Sequence, residues 1–174
     1  FRCDPMPTLM KYWFKCCRGT ATMEFALVAP LLLTLWVGII ELSDAHMVGR
    51  KAVAGAQAAA DLIAQRETVT AANFADIIQA VNAILAPYPT ANIGYDIASI
   101  ETDNNGNLTV GWRFTAGNLQ AGGGGIPATA VNLVTTDDSV IVANLAYVHQ
   151  PALALVFGNI TFAEAAYARP RNVR

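Results

Sequence analysis

Past residue 17 the sequence contains no cysteine, and it holds only two histidines, His46 and His149. That excludes a disulfide framework or a thiolate metal site in the body of the chain. Neither histidine lies in a His-x-x-x-His or Cys/His cluster, and nothing in the sequence pairs one with Ser43, Ser99 or Ser139 as a nucleophile and its base would require. Both read as structural or surface residues. Charge is also scarce. Only 14% of residues are charged, against about 25% in an average soluble domain, so either the core is large or part of the chain lies in lipid. The net charge of −2 supplies none of the basic excess of a nucleic-acid-binding protein, and no nucleic-acid partner is expected. Low-complexity segments and internal repeats are lacking too.

Two strings resemble ligand loops and fail on inspection. Glu101-x-Asp103-x-Asn105-Gly106 echoes part of a calcium loop, but Trp112 stands where a bidentate glutamate is needed. Gly122–Gly125 lacks the glycine spacing and the following Lys-Ser/Thr of a phosphate cradle and reads as a flexible loop or contact surface. No metal, cofactor or catalytic group is expected.

The charges that are present are unevenly placed. Of 11 Lys and Arg, four (Arg2, Lys11, Lys15 and Arg18) precede residue 20, opposed by Asp4 alone; the rest of the chain is acidic. Cys3, Cys16 and Cys17 fall in this basic head. Lipidation or metal binding are open to Cys16 and Cys17, but reduced thiols in a short cytoplasmic leader are the simpler reading. The first residue is Phe1, and Met6 and Met10 are candidate starts.

From Phe25 to Ile40 there is no charged residue. With Ala21–Glu24 added, the segment reaches about 20 residues, or about 30 Å of helix, enough to cross a hydrocarbon core. Lys11, Lys15 and Arg18 precede it, while Glu41 and Asp44 follow. Positive charge favours the cytoplasmic side, so the N-terminus is expected inside and the body outside. The apolar run is long for a secretory signal and Ser43-Asp44-Ala45 is a poor cleavage site, so the segment reads as a retained anchor. Pro30 removes one backbone donor within it and predicts a kink, which membrane helices tolerate.

Beyond the anchor the helix is expected to continue through the alanine-rich residues 45–66. A second helix is predicted from Thr70, as N-cap, with Phe74, Ile77, Ile78, Val81, Ile84 and Leu85 on an apolar face and Pro87 and Pro89 ending it. The period then changes to two. Ile93, Tyr95 and Ile97, and then Leu108, Val110, Trp112 and Phe114, predict a β-hairpin around Asp103–Asn107. Residues 140–148 and 160–168 are further strand candidates. The predicted class is α+β: a long N-terminal transmembrane helix running on into a periplasmic helix, packed on a small antiparallel sheet. The expected divisions are a leader over 1–19, a transmembrane helix over 20–42 and an extracytoplasmic domain over 43–174.

One string carries the functional reading: Arg18-Gly19-Thr20-Ala21-Thr22-Met23-Glu24-Phe25. A glycine ends a basic leader, a lone carboxylate follows five residues later, and an aromatic opens the apolar run. This resembles the processing site of type IV prepilins, and more closely that of the TadE-like (TadE/TadF/TadG) family of the tight-adherence, or Flp, pilus system. Ala26–Leu33 and Gly38-Ile39-Ile40-Glu41-Leu42 extend the resemblance over about residues 18–50. The tail Arg169-Pro170-Arg171 adds to it, while Phe25 departs from the tyrosine common in the major pilin. The resemblance implies a pilin-like fold and a minor pseudopilin of the bacterial inner membrane, cut between Gly19 and Thr20 by a prepilin peptidase. It implies assembly through Glu24 and Phe25, with the major Flp pilin, other minor pseudopilins, the inner-membrane pilus platform and the lipid bilayer as partners, in the filament or at its base. Glu24 would pair with a free N-terminal amine. A carboxylate at the centre of a membrane helix costs about 2.5–3.5 kcal/mol, and an arriving ammonium offsets part of that. The alternative is an uncleaved, TadG-like anchored binding module; a membrane-tethered hydrolase would need a catalytic cluster that the sequence does not supply.

Overall fold

The computed structural model describes residues 18–103, 105–134, 139–151, 154 and 156–171. The expected leader up to Cys17, with Cys3 and Cys16, lies outside them. Among the described residues two α-helices and four strands follow in order: α1 (Arg18–Ala64), α2 (Ala71–Leu85), β1 (Ile93–Thr102), β2 (Leu108–Gly117), β3 (Ser139–His149) and β4 (Ile160–Ala168). This is the α+β arrangement that the residue pattern predicts, and it fits the pilin-like layout that the resemblance implies.

Helix α1 is continuous over 47 residues, with Pro30 inside it. Its two halves meet different surroundings. In the first, Met23, Phe25, Leu27, Leu31, Leu33, Leu35, Trp36 and Ile40 are all exposed, and at about 100° per residue they are spread around the helix. In the second, Ala45, Val48, Ala52, Ala56, Ala59 and Ile63 are buried. Spacings of three and four put these on one stripe, and that stripe lies on the sheet. Small side chains let the packed elements approach closely. At Gly55 an added Cβ would sit 3.1 Å from Val81 Cγ1 of α2, tighter than ordinary contact.

Helix α2 starts where expected. Thr70 Oγ1 accepts the N–H of Asn73, and Asn73 Oδ1 accepts the N–H of Thr70, so two orphan donors are satisfied reciprocally. Phe74, Ile77, Val81 and Leu85 are its buried face; Ile78 packs beside them, partly exposed. Pro87, after a cis bond, and Pro89 follow its end. Its C-terminus has no basic residue of its own. Lys51 of α1 supplies one, its Nζ donating to the carbonyls of Ile84 and Ala86, where a cation also suits the helix dipole.

The strands form one antiparallel sheet in the order β2-β1-β3-β4. Ile93, Tyr95 and Ile97 of β1 and Ile141, Ala143, Leu145 and Tyr147 of β3 face the helices. The hairpin loop is built on Asp103, whose Oδ1 accepts the N–H groups of Asn105 and Asn107 at 2.9 and 2.7 Å. These bonds, Asn107's foremost, hold its carboxyl below the usual range. The alternating set in β2 is divided by a bulge where the register shifts between Ser99 and Ile100. Trp112 and Phe114 pack under Phe74 in the main core, while Leu108 joins Ile100, Val140 and Val142 on the opposite face. One extra residue exchanges the faces of everything beyond it. Ile126, Ala130 and Val134, from the connection between β2 and β3, cover that second cluster.

A buried ion pair lies on the same face. Asp96, 1% exposed, takes Nε of Arg113 on Oδ1 at 2.7 Å and Nη2 on Oδ2. The glycine run is laid over it: Arg113 Nη1 donates to Gly124 O, and a Cβ at Gly122, φ +79°, would fall 2.3 Å from Asp96 Oδ2. Arg113→Ala leaves that carboxylate buried without its cation. It is expected to destabilise the fold by about 3–5 kcal/mol, read as a lowered midpoint in thermal unfolding of the detergent-solubilised chain.

Candidate functional site

The residues singled out in the sequence all lie on α1. Gly19 and Thr20 fall in its first turn. Glu24 is exposed, beside Phe25 at 68% exposure, and no other described element packs on this end of the helix. Pro30 lies in the helix without ending it, and Thr34 Oγ1 donates to Pro30 O at 2.8 Å. Among the described residues, α1 holds one stretch long and apolar enough to cross a membrane, within Ala21–Ala64. The arrangement is an acid on an otherwise apolar cylinder, open to lipid or to another helix. Among the described side chains it brings no nucleophile, base or metal ligand to Glu24. Among the described residues no three His, Cys, Asp or Glu are grouped as a metal would need.

A second polar group, missed in the sequence, gathers where α1 leaves its apolar half. Glu41 is only 4% exposed. It begins the buried stripe, four residues before Ala45, and its Oε2 accepts the N–H groups of Val156 and Phe157 at 3.3 and 3.2 Å. Asp44, less than one turn on, accepts Tyr88 O–H on Oδ1 at 2.5 Å. His149, at the end of β3 and buried, places Nε2 3.4 Å from Asp44 Oδ2. That contact lacks hydrogen-bond geometry, and Nε2 has no hydrogen-bond partner. The Tyr88 ring meets His149 edge-on, and Lys51 Nζ lies 5.8 Å from its centroid, within cation–π range. Burial first, then the bond and charge of Asp44, push the Tyr88 phenol up to about 12. The sequence shows Glu41 and Asp44 as flanking charges only. Their partners are 44 to 116 residues away, and only the burial stripe starting at Glu41 hints at an inward carboxylate.

The other end of the body is closed by the tail. Arg171 N–H donates to Ala64 O, the last residue of α1, and its guanidinium meets Asp61 at 2.9 Å. Arg169 donates to Leu133 O.

Residues 19–61 match the family model described as TadE-like protein, about a quarter of the chain. The matched stretch begins at Gly19 and includes Glu24, Phe25, Pro30, Glu41 and Asp44. No curated protein and no solved structure matches the chain.

Tyr88 provides a test of the polar group. A phenol whose pKa is raised by folding adds stability that is complete below about pH 10 and lost as pH climbs towards the folded value of about 12. Asp44→Asn is expected to move the Tyr88 transition to lower pH. It should also cost about 1 kcal/mol, because the bond is only partly buried. Ultraviolet difference titration of Asp44→Asn against the parent, with Tyr88→Phe to assign the signal, reads both.

Proposed function

We propose that this chain, TadE-like over residues 19–61, is a minor pseudopilin of a tight-adherence pilus machine, a structural part and not an enzyme. One observation carries the reading. The matched stretch opens at Gly19, reaches Glu24 at the expected spacing, and lies on a helix whose first half is apolar and exposed on all sides. A helix of that kind belongs in lipid or among other such helices.

In this reading residues 1–19 are a basic leader, 20–42 span the inner membrane and 43–174 form the periplasmic domain. The basic leader holds the Gly19–Thr20 bond near an anionic cytoplasmic surface, and a glycine lets a membrane peptidase approach the backbone closely. Cleavage there creates an ammonium on Thr20. Glu24, near the inner interface, is a partner for such an amine on a neighbouring subunit; Phe25 and the apolar face around it make the accompanying helix contact. The prepilin peptidase, the major Flp pilin, other minor pseudopilins and the inner-membrane platform are the proposed partners.

Mass spectrometry of the chain recovered from cells with an active prepilin peptidase tests the cut. The expected mature N-terminus is Thr20, and Gly19→Leu should retain the leader. A parent chain still carrying Lys15 would overturn the processing step and leave the uncleaved, TadG-like anchor as the better reading. Glu24→Ala should be processed normally and lose pilus formation.

A further inference from the structure

The connection between β3 and β4 runs from Gln150 to Asn159, and between these two polar ends it reads Pro151-Ala-Leu-Ala-Leu-Val-Phe-Gly158, without charge or a polar side chain. This apolar stretch starts from Pro151, which is buried, but Val156–Gly158 reach back along α1. Val156 stands over Gly38, such that a Cβ added to that glycine would lie 3.6 Å from Val156 Cγ1. Val156 is nevertheless 42% exposed, and Gly158 has open space around it.

The depth of Gly38 follows from helix length. A hydrocarbon core about 30 Å thick takes up about 20 residues of α1. Arg18 bars an earlier start, so a span beginning at Thr20 ends near residue 40, and one beginning at Glu24 ends near residue 44. Gly38 is inside the hydrocarbon in both cases. Tilt lengthens the path and carries Gly38 deeper. Whatever touches Gly38 is therefore at or below the outer surface of the hydrocarbon.

Backbone at that depth needs its N–H groups satisfied within the protein. Glu41 does this for Val156 and Phe157. The same bonds give an acid at the membrane edge two donors that keep it out of lipid.

We infer that the loop around Val156 and Phe157 is a second membrane contact, an apolar wedge that dips into the outer leaflet beside α1 and is held there by Glu41. Its partner is lipid acyl chain. The inference rests on the membrane-span reading of α1 and is independent of cleavage after Gly19.

The test uses the full chain with Cys3, Cys16 and Cys17 replaced by Ser, in phosphatidylcholine vesicles at high lipid-to-protein ratio. Single cysteines are introduced by Val156→Cys, Gly158→Cys, Leu33→Cys in mid-span and Asn105→Cys at the hairpin tip, and each is labelled with an environment-sensitive fluorophore. Labels at 156 and 158 are expected to emit at shorter wavelength than the label at 105. They should be quenched by lipids bearing a nitroxide high on the acyl chain and shielded from aqueous iodide. Gly158→Cys meets no neighbouring atom, so it keeps the test open should Val156→Cys fold poorly. Labels at 156 and 158 that behave like 105, while 33 is quenched by nitroxide deep in the bilayer, overturn the wedge and leave the span intact. Labels shielded from both quenchers mean that protein covers the loop, which also overturns it. A label at 33 that deep nitroxide does not reach removes the span and the wedge together.

Discussion

A single unbroken helix has to satisfy two solvents. From Met23 to Ile40 nearly all its large apolar side chains are exposed; from Ala45 one stripe, mostly alanine, is buried on a sheet. The stripe is built from alanine because the helix must lie close to β3, β4 and α2 at once. Leucine in those places would hold the layers apart, and alanine in the first half would not hold the helix in a bilayer. The position of the body along the anchor is thus fixed by where leucine gives way to alanine.

The change of solvent is itself a structural problem, and Glu41, Asp44 and Lys51 answer it. Each reaches from α1 to a different part of the body: Glu41 to the amides of Val156 and Phe157, Asp44 to Tyr88 and His149, Lys51 to the last carbonyls of α2. Charged groups at such a boundary are costly when unpaired. Here each has partners that are backbone groups or polar ends of aromatic rings. The bonds also stop the body from swinging about the point where the helix leaves the lipid.

The elements were legible in the sequence wherever periodicity and end signals agreed. The 3–4 spacing from Phe74 to Leu85 with Thr70 before it, and the alternation in Ile93–Ile97, carry enough information locally to define α2 and β1. The string from Gly19 to Phe25 is a local pattern that falls within the family match over 19–61; the roles given to Gly19 and Glu24 belong to the proposal. What stayed hidden depends on distant partners. Leu108 and Trp112 share a parity in the sequence, and only the register shift opposite Ser99 and Ile100 separates their faces. His149 reads as an isolated histidine until β3 carries it to Asp44. Gly122 reads as slack in a polar loop until Asp96 appears beneath it with no room for a Cβ.

A continuous helix also transmits direction. At about 100° per residue, Glu24 lies about 40° in azimuth from Gly38, the residue that Val156 covers. The side of the anchor carrying the proposed assembly acid is therefore nearly the side over which the β3–β4 connection sits. A neighbouring amine that pairs with Glu24 would approach from beneath the body and not from the far face of the helix. Rotating the body about the anchor would turn that approach with it, because Glu41, Asp44 and Lys51 lock the two together. The bonds at one end of the anchor thus set the azimuth of Glu24 at the other, with no direct contact between them.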